Sequence, residues 1–290
     1  MTQLQIGIPK GSLQEPTVRL FAKAGYDIHI PARSYHLYIN DEQMGGMLLR
    51  PQDMALYVER GVLDAGFAGK DWVIECGADV HTAAELEYSR ASNRRARWVL
   101  AVPHDSPIQK ASDLQGKTIY TEIVRTVQKW LAERRIEADV QFSHGATEAK
   151  VPHLGDAIVE LTETGSSIRA NNLRIVDELM TSAVVFVVNR ASWTDAWKRE
   201  KIEDLLTLLQ GTLSAQGKVG LKLNVPSDRL EAILKVLPAM KEPTISPLTN
   251  SDWVAVETIV DQPAARELIP LLRRAGGQDF IEYPLNKVIP

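Results

Sequence analysis

From Asp156 to Ile168 the chain reads Asp-Ala-Ile-Val-Glu-Leu-Thr-Glu-Thr-Gly-Ser-Ser-Ile, an apolar run that ends in a hydroxyl-rich glycine loop. A strand repeats its side-chain direction every second residue, which places Asp156 and Glu160 on one face. The loop then feeds a short helix. Backbone amides from Thr164 through Gly165 and Ser166 to Ser167, the three hydroxyls among them, and the positive end of the helix would converge on an anion, and a phosphate fits that arrangement. Glu160 would then face sugar hydroxyls or a bound cation. The alternative is an ordinary capped helix start, with Thr164 or Ser167 as the cap. Glu163 would repel a phosphate unless its side chain points away.

Other chemistry-bearing residues are less concentrated. Arg90, Arg94, Arg95 and Arg97 form the densest positive cluster, which is either a field that attracts anions or a solvated loop. The six histidines show neither His-Glu-x-x-His nor another tight metal spacing, so a structural zinc site is not expected. Trp193 and Trp197, at helical spacing, read as packing residues. With Cys76 alone there is no internal disulfide, which suits a reducing compartment, and the cytoplasm is the expected location. The polar start, Met1-Thr-Gln-Leu-Gln, shows no signal or transit peptide. The longest apolar run, Ala183 to Val188, is far short of the roughly 20 residues of a spanning helix, so no membrane association is expected. A formal charge of −4 over 290 residues gives no reason to expect nucleic acid as a partner.

The elements that must position these residues alternate. Leu4–Ile8 reads as a strand, Ser12 and Glu15 as a capping box before a helix that Gly25 stops, and Pro51 to Gly61 as a helix leading to a strand at 65–69. Strands follow at Trp98–Val102 and Lys117–Tyr120, a helix at Val124–Arg135, a strand at Ala138–Phe142, a helix at Thr147–Leu154 and a strand at Ala157–Leu161. Two more strands, Arg174–Leu179 and Val184–Val188, precede an amphipathic stretch from Ser192 to Leu213. This alternation predicts an α/β fold with largely parallel strands, and the length predicts more than one domain. From Gly217 the order changes to β-α-β-β-α-β: Val219–Val225, Asp228–Leu237, Thr244–Leu248, Val254–Val260, Pro263–Ala275 and Phe280–Tyr283. That is a ferredoxin-like unit, punctuated by Pro238, Pro243 and Gly276-Gly277.

The strand, acidic residue and hydroxyl-glycine-hydroxyl loop together resemble the phosphoribosyl-diphosphate (PRPP) loop of the ATP phosphoribosyltransferase family. Further blocks agree in order: Ile6-Gly-Ile-Pro-Lys-Gly-Ser-Leu13, Leu49-Arg-Pro-Gln-Asp53, Leu63-Asp-Ala-Gly-Phe-Ala-Gly-Lys-Asp71 and Gly145-Ala-Thr-Glu148. Lys241-Glu-Pro-Thr-Ile-Ser-Pro-Leu248, followed by Asp252-Trp253-Val-Ala, resembles the regulatory domain of the family's long form. The chain departs from the family's pattern at Glu160, where Asp is frequent, at Ser167-Ile168 in place of Thr-Leu, and at Ile123-Val124 in place of Tyr-Pro.

The resemblance implies a two-lobed α/β catalytic region like a type II periplasmic binding protein, with a cleft between the lobes. Lobe I would comprise 1–97 and 188–214, lobe II 98–187, and a C-terminal ferredoxin-like regulatory domain 215–290. It implies transfer of phosphoribosyl from PRPP to N1 of ATP, with Mg2+ assisting. Lys10, Arg50 and Glu148 would be catalytic; Glu160, Glu163, Thr164, Gly165, Ser166 and Ser167 would bind PRPP; Gly11, Asp71 and Thr121 would bind ATP; Glu148 and Glu160 would hold the metal. For each charged residue a structural role is the alternative: a solvated turn lysine for Lys10, a surface pair with Asp53 for Arg50, a helix cap for Asp71, and first-turn stabilisation for Glu148. The third domain implies feedback by histidine through Asn224, Thr244 and Asp279. The resemblance also implies a homohexamer interconverting with dimers and no separate regulatory subunit. Two rival functions fit the same pattern: a non-catalytic ligand-binding protein with two lobes, and another enzyme that uses PRPP with a different acceptor.

Overall fold

The computed structural model describes residues 3–88, 96–237, 242–249 and 252–289. Arg90, Arg94, Arg95, Pro238 and Lys241 lie outside them. The chain divides into two units, 1–206 and 207–290.

In the first unit the sequence enters by β1 (Leu4–Pro9), α1 (Gln14–Ala24), β2 (Ile28–His29), β3 (His36–Ile39) and β4 (Met44–Leu49). It continues through α2 (Pro51–Glu59), β5 (Ala65–Gly69), α3 (Lys70–Cys76) and β6 (His81–Leu86). A second series follows: β7 (Ala96–Pro103), β8 (Thr118–Thr121), α4 (Val124–Glu133), β9 (Asp139–Phe142), β10 (Ala157–Thr162), α5 (Ser166–Ala170) and β11 (Leu173–Ser182). The chain then returns through β12 (Val184–Val188), α6 (Arg190–Thr194) and α7 (Ala196–Ala215), a helix that runs across the unit boundary.

These strands form two sheets. The first has seven strands in the order β2-β3-β4-β1-β5-β12-β6, and the second has five in the order β11-β7-β10-β8-β9. Each sheet with its helices is one lobe. β1 lies parallel between β4 and β5, as alternating strands and helices require. Met54, Val58 and Leu63 pack against Val185 and Val187 in the first lobe. Trp98, Leu100, Ile119, Val127 and Leu131 build the core of the second, with Trp72 of α3 packed against it.

Several expectations change. The return to the first sheet falls between Ser182 and Val184, not near Val188, because Val184–Val188 pairs along β5 and β6. The capping box at Ser12 and Glu15 does not form: the helix starts at Gln14, Leu13 at its cap already has right-handed helical backbone, and Glu15 pairs with Arg19 at 3.5 Å. Only a 3-10 turn, Thr147–Lys150, stands where a longer helix was expected. The stretch from Ser192 is two helices, α6 and α7, with Asp195 in extended backbone between them.

The second unit continues from the end of α7 with β13 (Lys218–Pro226), α8 (Leu230–Val236), β14 (Thr244–Pro247), β15 (Trp253–Asp261), α9 (Gln262–Arg274) and β16 (Gln278–Pro284). Its antiparallel sheet runs β14-β15-β13-β16, the ferredoxin-like order. Val219, Leu221, Leu223 and Val225 alternate inward from β13 to meet Ile233, Leu268 and Leu272. The division at 206/207 falls inside α7, and the first strand of the second unit, β13, begins at Lys218.

Candidate active site

In parallel strands the chain leaves every carboxyl end on the same edge, and that edge is where loops collect functional groups. Pro9 of β1 is in register with Leu49 of β4, so the residues that follow, Lys10 and Arg50, emerge side by side. The Lys10 amide donates to the Leu49 carbonyl at 2.6 Å, and its ammonium lies 4.8 Å from the centroid of the Tyr35 ring. Gly11 has φ 96°. Arg50 is exposed, in extended backbone at the cap of α2, with Pro51 opening the helix.

The second sheet gathers the rest. Val159 of β10 pairs in parallel with Thr121 of β8, and Thr121 with Phe142 of β9, so three carboxyl ends lie together. Thr121 is fully buried, and its hydroxyl accepts from the Ile123 amide at 3.2 Å, which shapes the turn into α4. After β9, the Ser143 amide donates to the Thr121 carbonyl at 2.9 Å. Gly145 and Ala146 both take left-handed backbone, with φ 105° and 47°, and swing Thr147 and Glu148 back over the sheet. The buried Thr147 hydroxyl lies 2.9 Å from that of Ser143 and sits beside the Glu160 carboxyl, close enough to affect its pKa. Burial raises the pKa of Glu160, and the neighbouring carboxylates of Glu148 and Glu122 push the same way, while the Thr147 hydroxyl and the Leu161 amide oppose them.

Beyond Thr162 the expected loop is formed. Gly165, at φ 72°, is the cap of α5, and its amide donates to the Thr162 hydroxyl at 2.8 Å. Thr164 and Ser166 hydroxyls are 3.1 Å apart, and the Arg169 guanidinium donates to the Thr164 carbonyl at 3.1 Å. First-turn amides have no acceptor within their own helix, so those of Ser166 and Ser167 are presented outward. Asp156 lies apart from this group. It precedes β10 and holds the start of β8 through the Thr118 amide at 3.0 Å and Lys117 at 3.3 Å.

Asp71 is 2 % exposed, and its carboxylate accepts from the Trp98 indole at 2.7 Å and from the Trp72 amide at 3.0 Å. It therefore joins the lobes where the chain enters the second sheet. Arg97 pairs with Glu178 at 3.0 Å. Trp193 stacks on His81 with centroids 4.2 Å apart, a packing role as expected. Sequence reasoning missed Thr147, Asp71 as a link to Trp98, and Glu75, whose partners are more than two dozen residues away along the chain or reached through a turn.

In the second unit, Asn224 donates to Asp279 at 3.0 Å, and Asp279 has φ 50°. Ser246 and Asn224 both pair with Ala255, so Thr244, two residues from Ser246, shares a sheet face with Asn224.

Two carboxylates, Glu148 and Glu160, and a hydroxyl give a hard oxygen set that fits Mg2+, which commonly takes one or two protein carboxylates and fills its shell with water and substrate phosphates. Among the described residues no group of three or more His, Cys, Asp or Glu is assembled to hold a metal.

Comparison with known proteins gives a consistent result. The family profile described as ATP phosphoribosyltransferase matches residues 50–211, and that described as HisG, C-terminal domain, matches 215–287. The ATP phosphoribosyltransferase of Desulforudis audaxviator is 56% identical over 99% of this chain and 100% of its own length. That of Pelotomaculum thermopropionicum is 53% identical over the same shares, 99% and 100%. A solved ATP phosphoribosyl transferase (HisG:HisZ) complex from Thermotoga maritima superposes with a TM-score of 0.63 at 27% identity, covering 73% of this chain and 99% of that one.

Proposed function

Because the chain belongs to the ATP phosphoribosyltransferase family, we propose how its residues divide the work of that reaction, the first step of histidine biosynthesis. Adenine N1 of ATP attacks C1 of PRPP; the N1–C1 bond forms, the C1–O bond to diphosphate breaks, and diphosphate leaves. The activity itself follows from family membership.

Glu160, Thr164, Gly165, Ser166 and Ser167 bind the phosphoribosyl group. The outward amides and hydroxyls of the loop donate to the 5-phosphate, and Glu160, half-buried beside Thr147, accepts from ribose hydroxyls. Glu163, at the start of the loop, belongs to the same PRPP-binding set. Lys10 and Arg50, presented together at the ends of β1 and β4, neutralise the departing diphosphate, and Gly11 lets the chain pass close to the nucleotide. Glu148 and Glu160 are the carboxylates that would hold Mg2+, which when bound supplies positive charge to the diphosphate. Alignment and charge stabilisation carry the reaction, and no covalent enzyme intermediate is needed. Thr121 and Asp71 serve the nucleotide indirectly, by shaping the turn at 121–126 and by joining the lobes.

In the C-terminal unit, the hydrogen-bonded pair Asn224 and Asp279, with Thr244 on the same sheet face, would take the amino and carboxyl groups of histidine as a feedback inhibitor. The solved Thermotoga maritima relative is a HisG:HisZ complex. This chain carries its own C-terminal domain, and we read it as needing no such partner, working as a homohexamer in exchange with dimers in the cytoplasm.

The observation that carries the residue assignment is the meeting of Glu160 with Thr147 beside the left-handed Gly165 turn. The test is formation of phosphoribosyl-ATP from ATP, PRPP and Mg2+, with pyrophosphatase drawing the reaction forward and histidine added in parallel. Product that histidine suppresses supports both sites. Product without suppression removes the effector site, and no product from folded protein overturns the assignment.

A further inference from the structure

The turn at 121–126 lacks a cap of its own. α4 opens at Val124 after Ile123, and Ile123 has no side-chain oxygen to satisfy the first-turn amides. The acceptor comes from the other lobe. The Glu75 carboxylate on α3, 8 % exposed, takes the Arg125 amide on one oxygen at 2.9 Å. Its other oxygen takes the Thr126 amide at 2.8 Å and the Thr126 hydroxyl at 2.7 Å. The exchange is reciprocal: the Arg125 guanidinium donates to the Cys76 carbonyl at 3.0 Å, at the C-terminus of α3, where a cation also complements the helix dipole. The first turn of α4 is therefore capped by the opposite lobe, and the Cys76 carbonyl, past the turn that Gly77 closes on α3, is taken by Arg125; separating the lobes would expose both.

We propose that Glu75 is a positioning residue for nucleotide binding: by capping α4 across the lobe boundary it holds the 121–126 turn in its ATP-competent form only while the lobes are docked. This rests on the reading that ATP binds beside that turn. It also explains how the chain manages with Ile123-Val124 there. A proline at the first helical position would fix the turn locally by its own ring; here the constraint is supplied from α3 instead. PRPP binding, seated on the loop after β10, does not depend on this cap.

The experiment combines hydrogen exchange with steady-state kinetics on the full-length enzyme. In the wild type, ATP should slow exchange across 121–126. In Glu75→Ala the amides of Arg125 and Thr126 should exchange faster and KM for ATP should rise about five- to tenfold, the worth of a lost cap, with KM for PRPP within about twofold. Glu75→Gln, which keeps one acceptor oxygen, should fall between. If Glu75→Ala does not fold, Thr126→Val carries the test, because it removes one donor and keeps the side-chain shape; its KM for ATP should rise about two- to threefold. Wild-type protection by ATP together with an unchanged KM for ATP in these variants would overturn the proposal and leave the nucleotide site standing. Absence of ATP protection at 121–126 in the wild type would overturn the nucleotide reading, and the proposal with it.

Discussion

Gly165→Ala is the sharpest local perturbation of the phosphate loop. Gly165 holds φ 72°, a left-handed conformation in which a Cβ costs about 1–2 kcal/mol. The added methyl would also stand 3.0 Å from the Arg169 guanidinium, whose hydrogen bond to the Thr164 carbonyl closes the loop. Arg169 is exposed and can move, so this second effect is limited to the worth of that bond, about 0.5–1.5 kcal/mol. Without ligand the loop can relax and escape the strain. With PRPP bound the amides must converge, so the cost reappears as lost affinity. A total of about 1.5–3.5 kcal/mol corresponds to roughly ten- to several-hundredfold weaker PRPP binding. Titration calorimetry with PRPP measures this directly, with ATP binding as the internal control. PRPP affinity within about twofold of wild type would refute both the loop geometry and its assignment, since the strain would then be irrelevant to the ligand.

Four further outcomes are expected. Ser167→Ala should weaken PRPP binding about ten- to a hundredfold with the melting temperature unchanged, as one hydrogen bond to a charged ligand is lost; equal affinity by calorimetry would contradict the role. Because burial and neighbouring carboxylates raise the Glu160 pKa, protonation on acidification removes its acceptor charge sooner than for an ordinary glutamate. The acid limb of kcat/KM for PRPP should therefore lie above the usual carboxylate range and be absent from Glu160→Gln, and an identical limb in that variant would assign it elsewhere. Trp98→Phe leaves the buried Asp71 carboxylate without its indole partner and should cost about 1–3 kcal/mol in urea unfolding, whereas an unchanged midpoint would remove Asp71 from the interlobe link. Asn224→Ala should raise the histidine concentration needed for half inhibition about tenfold, because it removes both a ligand donor and the hydrogen bond that orients Asp279; undiminished inhibition would place the effector elsewhere.

The parts of the site that were legible in the sequence are those whose residues are contiguous. β10, its carboxylate and the Gly165 turn occupy one short stretch, so strand period and loop chemistry could be read together. The βαββαβ order of the last unit was equally plain, since β13 and β15 alternate against one core and Pro and Gly mark the turns. β4 was missed because Met44-Gly-Gly-Met lacks side chains to alternate; its place is set by pairing on both sides, and a Cβ at Gly46 would lie 2.1 Å from the Ile6 carbonyl. The capping box failed for a related reason. Its residue types were right, but Leu13 already adopts helical backbone, and the chain's departure from β1 decides where α1 starts. Least legible were the links between the lobes. Glu75 meets Thr126 at a sequence separation of 51 residues and Asp71 meets Trp98 at 27, distances over which no local pattern predicts a partner.

The central claim is that PRPP is held by the loop that leaves the carboxyl end of β10. Hydrogen exchange of the full-length enzyme with PRPP and Mg2+, without ATP, tests it most directly. The account predicts slowed exchange concentrated at Thr164–Ile168, with the segment around Thr147 and Glu148 following and 218–284 unaffected. Slowed exchange confined to other segments, with 164–168 exchanging as in the free enzyme, would contradict it.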